Sequence, residues 1–392
     1  ITTGNASFNV NSEGGLTMQR AEEKDAENNV VKSAVKGSIN DGKASQNINL
    51  TAADDIKLNG KVNAEGKNLQ VTSYAGDISQ GTSAEADNIV AANATVSAVQ
   101  GSIALDNIKN KIDNLQILTL GKDFTLSVNQ ENLNLSVDNV VNNYGGNFAV
   151  NNFGGAISIT NANANIYGDI TLSAKGNISV DENSRFTTNK LNSTTSNEAM
   201  LQQTGNITLT AGAFNGTEGS ITNNGSIVAN AVTGKDTEGN PIGGTANVTF
   251  NAEKGGIENT GTITATASDI KDAEGNVVKA GNASIIMNAK TVTNNNTGAL
   301  AANTNIDIDA TNGNAVNNGT LNAGNDIDVD ATGGDIANNG TAEAGQNVDL
   351  NATGNVTTSA NGTITSGKDA KLSAGNNITT NGAITSNGNT SL

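Results

Sequence analysis

A motif of about 21 residues that copies itself along the chain limits what the fold can be. NIDIDATNGNAVNNGTLNAG begins at 305, DIDVDATGGDIANNGTAEAG at 326, NVDLNATGNVTTSANGTITSG at 347 and DAKLSAGNNITTNGAITSNG at 369, so successive copies start 21, 21 and 22 residues apart. Each copy holds a short alternating segment (Ile306 and Ile308, Ile327 and Val329, Val348 and Leu350, Ala370 and Leu372), then a second apolar position, an Asn-Gly corner and a third segment. Alternation at period two is the mark of a strand. A unit this small cannot bury its apolar side alone, but it can lay that side on the next copy. The pattern predicts an all-β chain, a single elongated β-solenoid with three strands per coil and about 21 residues per coil. Parallel crossovers are right-handed by strong default, so a right-handed parallel β-helix is expected.

Composition agrees with a narrow core. Apolar residues make up 35% and aromatics 3%, below the ~45–50% apolar share of an ordinary globular domain. Charged residues at 15% and a single proline, Pro241, argue equally against disorder. A bore lined by Ile, Val, Leu and Ala, with coils ~4.8 Å apart, needs few rings; about 16 coils would span ~75–80 Å. The corner words ITNNGSI at 221, IENTGTI at 257, AVNNGTL at 315, DIANNGT at 335, ITTNGAI at 378 and IKLNGKV at 56 place Gly and Asn where the chain must bend. These residues tolerate positive φ, which is the expected reason for their use. Asparagines in register, such as Asn317 and Asn338, are expected to form amide ladders from coil to coil.

The repeat weakens upstream without a break, so one continuous domain, a fragment of a longer chain, is expected. It comprises degenerate repeats over 1–200 with an insert near 20–35, coils over 201–304 with inserts near 233–245 and 269–281, and regular 21–22-residue repeats over 305–392. The inserts share a hydrophilic word: KDAENNVVK at 24, KDTEGNPIG at 235 and KDAEGNVVK at 271. A turn word flanked by strand residues predicts a hairpin protruding from the coils. Exposed loops on a rigid scaffold commonly carry recognition. That makes Lys24, Asp25, Glu27, Lys235, Asp236, Glu238, Lys271, Asp272 and Glu274 the partner-binding candidates, against the plainer reading of decoration spread by duplication.

The chain has no His and no Cys, which excludes thiol nucleophiles, disulfides, Cys/His zinc sites and every triad with an imidazole base. No catalytic residue and no organic cofactor are assigned. A net charge of −17 opposes nucleic acid or an anionic membrane as partner, and no apolar run approaches the ~18 residues of a spanning helix. Two residue sets remain. If Ile306, Ile327 and Val348 face inward, Asp307, Asp328 and Asp349 stack outside beside Asp309 and Asp330, ending at Lys371. Calcium is the cation such carboxylates would take, and a plain solvated face is the competing reading. Tyr144, Phe148, Phe153 and Tyr167 gather among Gly and Asn, either as a glycan-binding face or as core filling.

Tandem words of the form AG-N-φ-x-φ-x-A followed by φ-x-N-N-G-T-φ-x-A-G, clearest over 200–392, resemble the repeats of filamentous haemagglutinin-type exoproteins of two-partner secretion. Those are large β-helical adhesins and contact-dependent toxin carriers of Gram-negative bacteria. The family's amino-terminal secretion domain carries Asn-Pro motifs, and Asn240-Pro241 alone does not match them. The resemblance implies a non-catalytic shaft or adhesive segment, secreted or held on the cell surface as a monomer. It implies an outer-membrane transporter as partner during export and a host-cell or bacterial receptor or glycan afterwards. A stalk for a C-terminal toxin domain is the alternative within the family, and a polysaccharide-degrading β-helix the alternative outside it. Autotransporter passengers carry similar β-helices, so the export route stays open.

Overall fold

A computed structural model describes residues 8–20, 23–24, 30–32, 35–36, 39, 46–81, 87–142, 144–189, 203–216, 218–235 and 238–392. The chain divides into two compact units, Ile1–Ile157 with Ala162–Ala164, and Ser158–Asn161 with Asn165–Leu392. Both are parallel β-helices built from short strands, as the repeat predicts. Among the described residues no helix is long and apolar enough to cross a membrane.

In the second unit the regular coils carry three strands each, for example Ile306–Ala310, Ala315–Asn317 and Thr320–Ala323, followed by Ile327–Ala331, Ile336–Asn338 and Thr341–Ala344. Each strand pairs in parallel with its counterpart one coil away. Ile306 lies opposite Ile327, Ile327 opposite Val348 and Val348 opposite Ala370. Alternation then decides the rest. Ile306, Ile308, Ile327, Val329, Val348 and Leu350 are all buried, each such side chain contributing about 1.5–3 kcal/mol by leaving water. The residues between them face out. Around Ile308, Leu321, Val329, Ile336, Ala342 and Leu350 the remaining void is only about 20 Å³, so the bore is filled by aliphatics.

The first unit follows the same plan with longer strands that run through corners, such as Val62–Ser73, Ile89–Ala98 and Lys111–Leu120. One inward column reads Ile56, Ile78, Ile103, Phe124, Phe148 from coil to coil. Its last two rings stack with centroids 4.8 Å apart, a spacing that the distance between coils imposes. Asn110, fully buried, ties neighbouring turns together: its Nδ2 donates to Gln80 Oε1 at 2.9 Å and its Oδ1 accepts the N–H of Ile89 at 2.8 Å.

The corners explain the Asn and Gly content, with one departure from expectation. The corner glycines Gly225, Gly261, Gly319, Gly340, Gly362 and Gly382 do not adopt positive φ. They are glycine because the backbone of the adjacent coil lies against them. A Cβ on Gly340 would stand 2.0 Å from the carbonyl oxygen of Gly319, and one on Gly319 2.1 Å from that of Gly298. Close approach of backbone to backbone sets these positions. The Asn or Asp that opens a coil has a separate task. Asp326 Oδ1 accepts the backbone N–H of Asn347 at 3.1 Å, Asp369 Oδ1 that of Asn389 at 2.7 Å, and in the first unit Asp77 Oδ1 that of Ser102 at 2.8 Å. A short acceptor side chain satisfies a donor at a bend where no strand can.

All three inserts fold as antiparallel hairpins. Gln19–Arg20 pairs with Val35–Lys36 and Glu23–Lys24 with Val30–Lys32, Gly234–Lys235 with Pro241–Ile242, and Ile270–Lys271 with Val277–Lys279. The last two leave the coils at the same corner of adjacent turns, after Ala231 and Ala267, which are opposite each other.

Candidate binding surface

The carboxylate columns form as the alternation requires. Asp307 stands opposite Asp328, Asp328 opposite Asp349, and Asp349 opposite Lys371, with Asp309 opposite Asp330 alongside. Lys371 Nζ reaches Asp349 Oδ2 at 2.8 Å, and Asn351 Nδ2 donates to Asp330 Oδ1 at 2.8 Å. Partial burial, then the neighbouring carboxylates Asp330, Asp349, Asp307 and Asp309, pushes Asp328 up to about 6. Burial and then like charge also raise Asp307 and Asp309. Five carboxylates along flat strands make a ladder rather than a cage, and among the described residues no group of three or more acids is gathered closely enough to hold a metal ion. The calcium reading of Asp307, Asp309, Asp328, Asp330 and Asp349 finds no geometry here.

The aromatic set does not form one surface. Phe148 is fully buried in its stack on Phe124, Tyr167 is buried, and burial, opposed by a hydrogen bond with Asn165, raises the Tyr167 phenol. For these two, core filling replaces the glycan reading, because rings fit where the bore would otherwise be empty. Phe153 is half-buried, and only Tyr144 opens to solvent, at 49% exposure.

The hairpin candidates are outside. In the third hairpin every residue from Lys271 to Ala280 is exposed, including Asp272 and Glu274. The tip is nevertheless well tied: Asp272 Oδ1 accepts the N–H groups of Glu274 at 3.1 Å and Asn276 at 2.8 Å, and Asn276 Nδ2 donates to Asp272 Oδ2 at 3.0 Å. Those bonds hold the Asp272 carboxyl below its ordinary range, the Asn276 side-chain bond most. Beside the tip stand Val277 and Val278, 50% and 63% exposed. In the second hairpin Lys235 and Glu238 are exposed, and Lys24 lies on the strand Glu23–Lys24 of the first. Asp25, Glu27 and Asp236 lie outside the described residues.

One feature escapes the repeat pattern. After Ile207–Ala211 the chain does not turn the corner as its neighbour Val248–Asn259 does, but makes an excursion. Ala213, Phe214, Asn215 and Gly216 form a tight turn closed by the Gly216 N–H on Ala213 O at 3.0 Å, with φ of 55° at Phe214 and 63° at Asn215. Lys254 Nζ donates to Gly216 O at 2.9 Å and pins the turn to the next coil. Between them lies a groove of about 360 Å³ lined by Thr210, Ala213, Asn215, Asn251, Glu253 and Lys254. The sequence signal was available in AGAFNG at 211, where an aromatic occupies a corner that elsewhere takes Asn or Gly. In comparison with known proteins, the chain matches no family model, and no curated protein or solved structure is similar to it.

Proposed function

We propose that this chain is a non-catalytic shaft and adhesive segment of a large secreted or surface-attached bacterial exoprotein of the filamentous haemagglutinin type, whose hairpins make contact with a cell-surface partner. The observation that carries this reading is the third hairpin, where Val277 and Val278 are held in water on a tip ordered by Asp272. Exposed aliphatics on a rigid projection lose their water only against a partner. The same Val-Val-Lys word recurs at 30–32 in the first hairpin. In this reading the coils serve as the scaffold and bring no chemistry of their own.

Export through an outer-membrane transporter of a Gram-negative cell is consistent with the chain's physics. A chain without Cys crosses an oxidising compartment without cross-linking, and contacts between adjacent coils let it fold progressively as it emerges. Retention of the purified chain on bacterial and epithelial cell layers under flow tests the reading. The wild-type chain should be retained and the double variant Val277→Ser with Val278→Ser should lose at least fivefold, with an unchanged melting temperature. Equal retention of the two proteins, or none of the wild type, would refute it.

A further inference from the structure

One outward face of the first unit is built of uncharged amides and hydroxyls. Across the strands Val62–Ser73, Ile89–Ala98, Lys111–Leu120 and Asn132–Val137, two outward columns run side by side from coil to coil. One holds Asn68, Asn93, Asn114 and Asn134, the other Gln70, Thr95, Gln116 and Ser136. On a chain of net charge −17, two copies repel each other, and these columns add nothing to that repulsion.

The first column is an exposed amide ladder. Asn93 Nδ2 donates to Asn68 Oδ1 at 2.9 Å, Asn114 to Asn93 at 2.9 Å and Asn134 to Asn114 at 2.8 Å. Asn93 and Asn134 each keep a second N–H for another partner. In the second column Gln70 and Gln116 are exposed, and among the described residues their amides have no hydrogen-bond partner. An amide both donates and accepts, so a surface made of amides complements a copy of itself, as a two-fold interface requires. Shape agrees with chemistry, because the second column alternates long and short side chains. A two-fold axis running along the strands between Thr95 and Gln116 would lay Gln70 over the partner's Ser136 and Thr95 over the partner's Gln116. Each long side chain then meets a short one, the interdigitation that joins stacked amide-rich sheets. We propose that this face docks a second copy of the chain, with the two coil stacks antiparallel. Four coils at ~4.8 Å and strands of ~17 Å give a flat contact of about 330 Å² per partner, under the ~800 Å² of a standard stable interface. The pair is therefore reversible, with a Kd on the order of 0.1 mM. The face shares no residue with the hairpins, and its failure would leave the adhesive reading of their tips standing.

Sedimentation equilibrium of the whole chain from about 10 μM to about 1 mM tests it. The wild type should pass from monomer to dimer over this range. Dimerisation should be tighter at about 0.5 M than at about 0.05 M salt, since salt screens the repulsion between like-charged chains and leaves amide contacts in place. Thr95→Lys and Gln116→Glu should each weaken it at least fivefold, because each brings two like charges together near the axis. An equimolar mixture of these two variants should dimerise at least fivefold more tightly than either alone, since only the mixed pair sets the introduced ammonium over the introduced carboxylate. That recovery separates a lost contact from a lost fold. Val277→Ser with Val278→Ser should dimerise as the wild type does. A wild type that stays monomeric at about 1 mM, a dimer that salt dissociates, indifference to both substitutions, or no recovery on mixing would overturn the proposal.

Discussion

At the scale of single residues, two positions make opposite statements about the coil. Gly340 is fixed by its neighbour: a Cβ there would overlap the Gly319 carbonyl oxygen at 2.0 Å, and backbone in the middle of a stack cannot retreat. Gly340→Ala should therefore destabilise by on the order of 2–3 kcal/mol despite a φ that alanine accepts, read as a lowered urea midpoint; a change below about 0.5 kcal/mol would show that the corner yields. Asp328 is instead tolerated at a cost. Its carboxyl titrates at about 6, above the ~3.9 of an unfolded chain, so the folded state binds its proton more tightly than the unfolded one. The associated stability is present below about pH 4 and is lost as the pH rises through about 6. Asp328 is partly solvated, and screening keeps the effect below about 1 kcal/mol. Asp328→Asn should raise the melting temperature at pH 7.5 and have little effect at pH 4.5. A variant less stable than the wild type at pH 7.5 would contradict the assigned repulsion from Asp307, Asp309, Asp330 and Asp349.

At the scale of elements, the buried amide ladder shows how side chains join one coil to the next. Asn223 Nδ2 donates to Asn259 Oδ1 at 2.8 Å, Asn259 to Asn294 at 2.8 Å, Asn294 to Asn317 at 2.9 Å and Asn317 to Asn338 at 2.8 Å. Every bond points the same way, so the ladder has an acceptor end, where Asn223 Oδ1 is unpartnered opposite Val180, and a donor end at Asn338, opposite Thr358. The Thr358 hydroxyl is itself buried without a partner. Thr358→Asn should add a rung and raise stability by about 0.5–1.5 kcal/mol, whereas Asn294→Ala leaves two amides broken and should cost about 2–4 kcal/mol; equal melting temperatures for both variants would show that the rungs contribute nothing to stability. The Asn317–Asn338 rung was legible because a fixed period places equal residues opposite each other, and the hairpins were legible because their turn words recur. The corner glycines were legible as corners but not in cause, since close backbone approach and positive φ select the same residue. Core filling was one of two readings open for Phe148 and Tyr167, and the sequence could not choose between them because the choice depends on what the adjacent coil places beside each ring; the Phe214 turn left a mark in AGAFNG, but its conformation depends on the neighbouring coil in the same way.

At the scale of the whole molecule, stability is distributed along the chain rather than held in one centre. Ile306 is covered by Ile285 on one side and Ile327 on the other, Ile327 by Ile306 and Val348, and Val348 by Ile327 and Ala370. No residue in this run relies on a strand more than one coil away for its ladder, so the free energy is close to a sum of coil terms and nearest-neighbour interfaces. Such a sum survives division where a globular core would not. A fragment of residues 283–392, which holds the regular coils and the Asn294–Asn317–Asn338 rungs without either neighbouring hairpin, should fold alone. It should give a far-ultraviolet minimum near that of β-sheet and a cooperative urea transition whose slope falls with the smaller surface exposed on unfolding. The fragment lacks the coils that cover Ile285 from the Val248 side, so its midpoint should fall below that of the whole chain, and restoring residues 246–282 should recover part of the loss. A fragment that stays unstructured would mean that coils 283–392 take their order from a distant part of the chain, which nearest-neighbour pairing forbids.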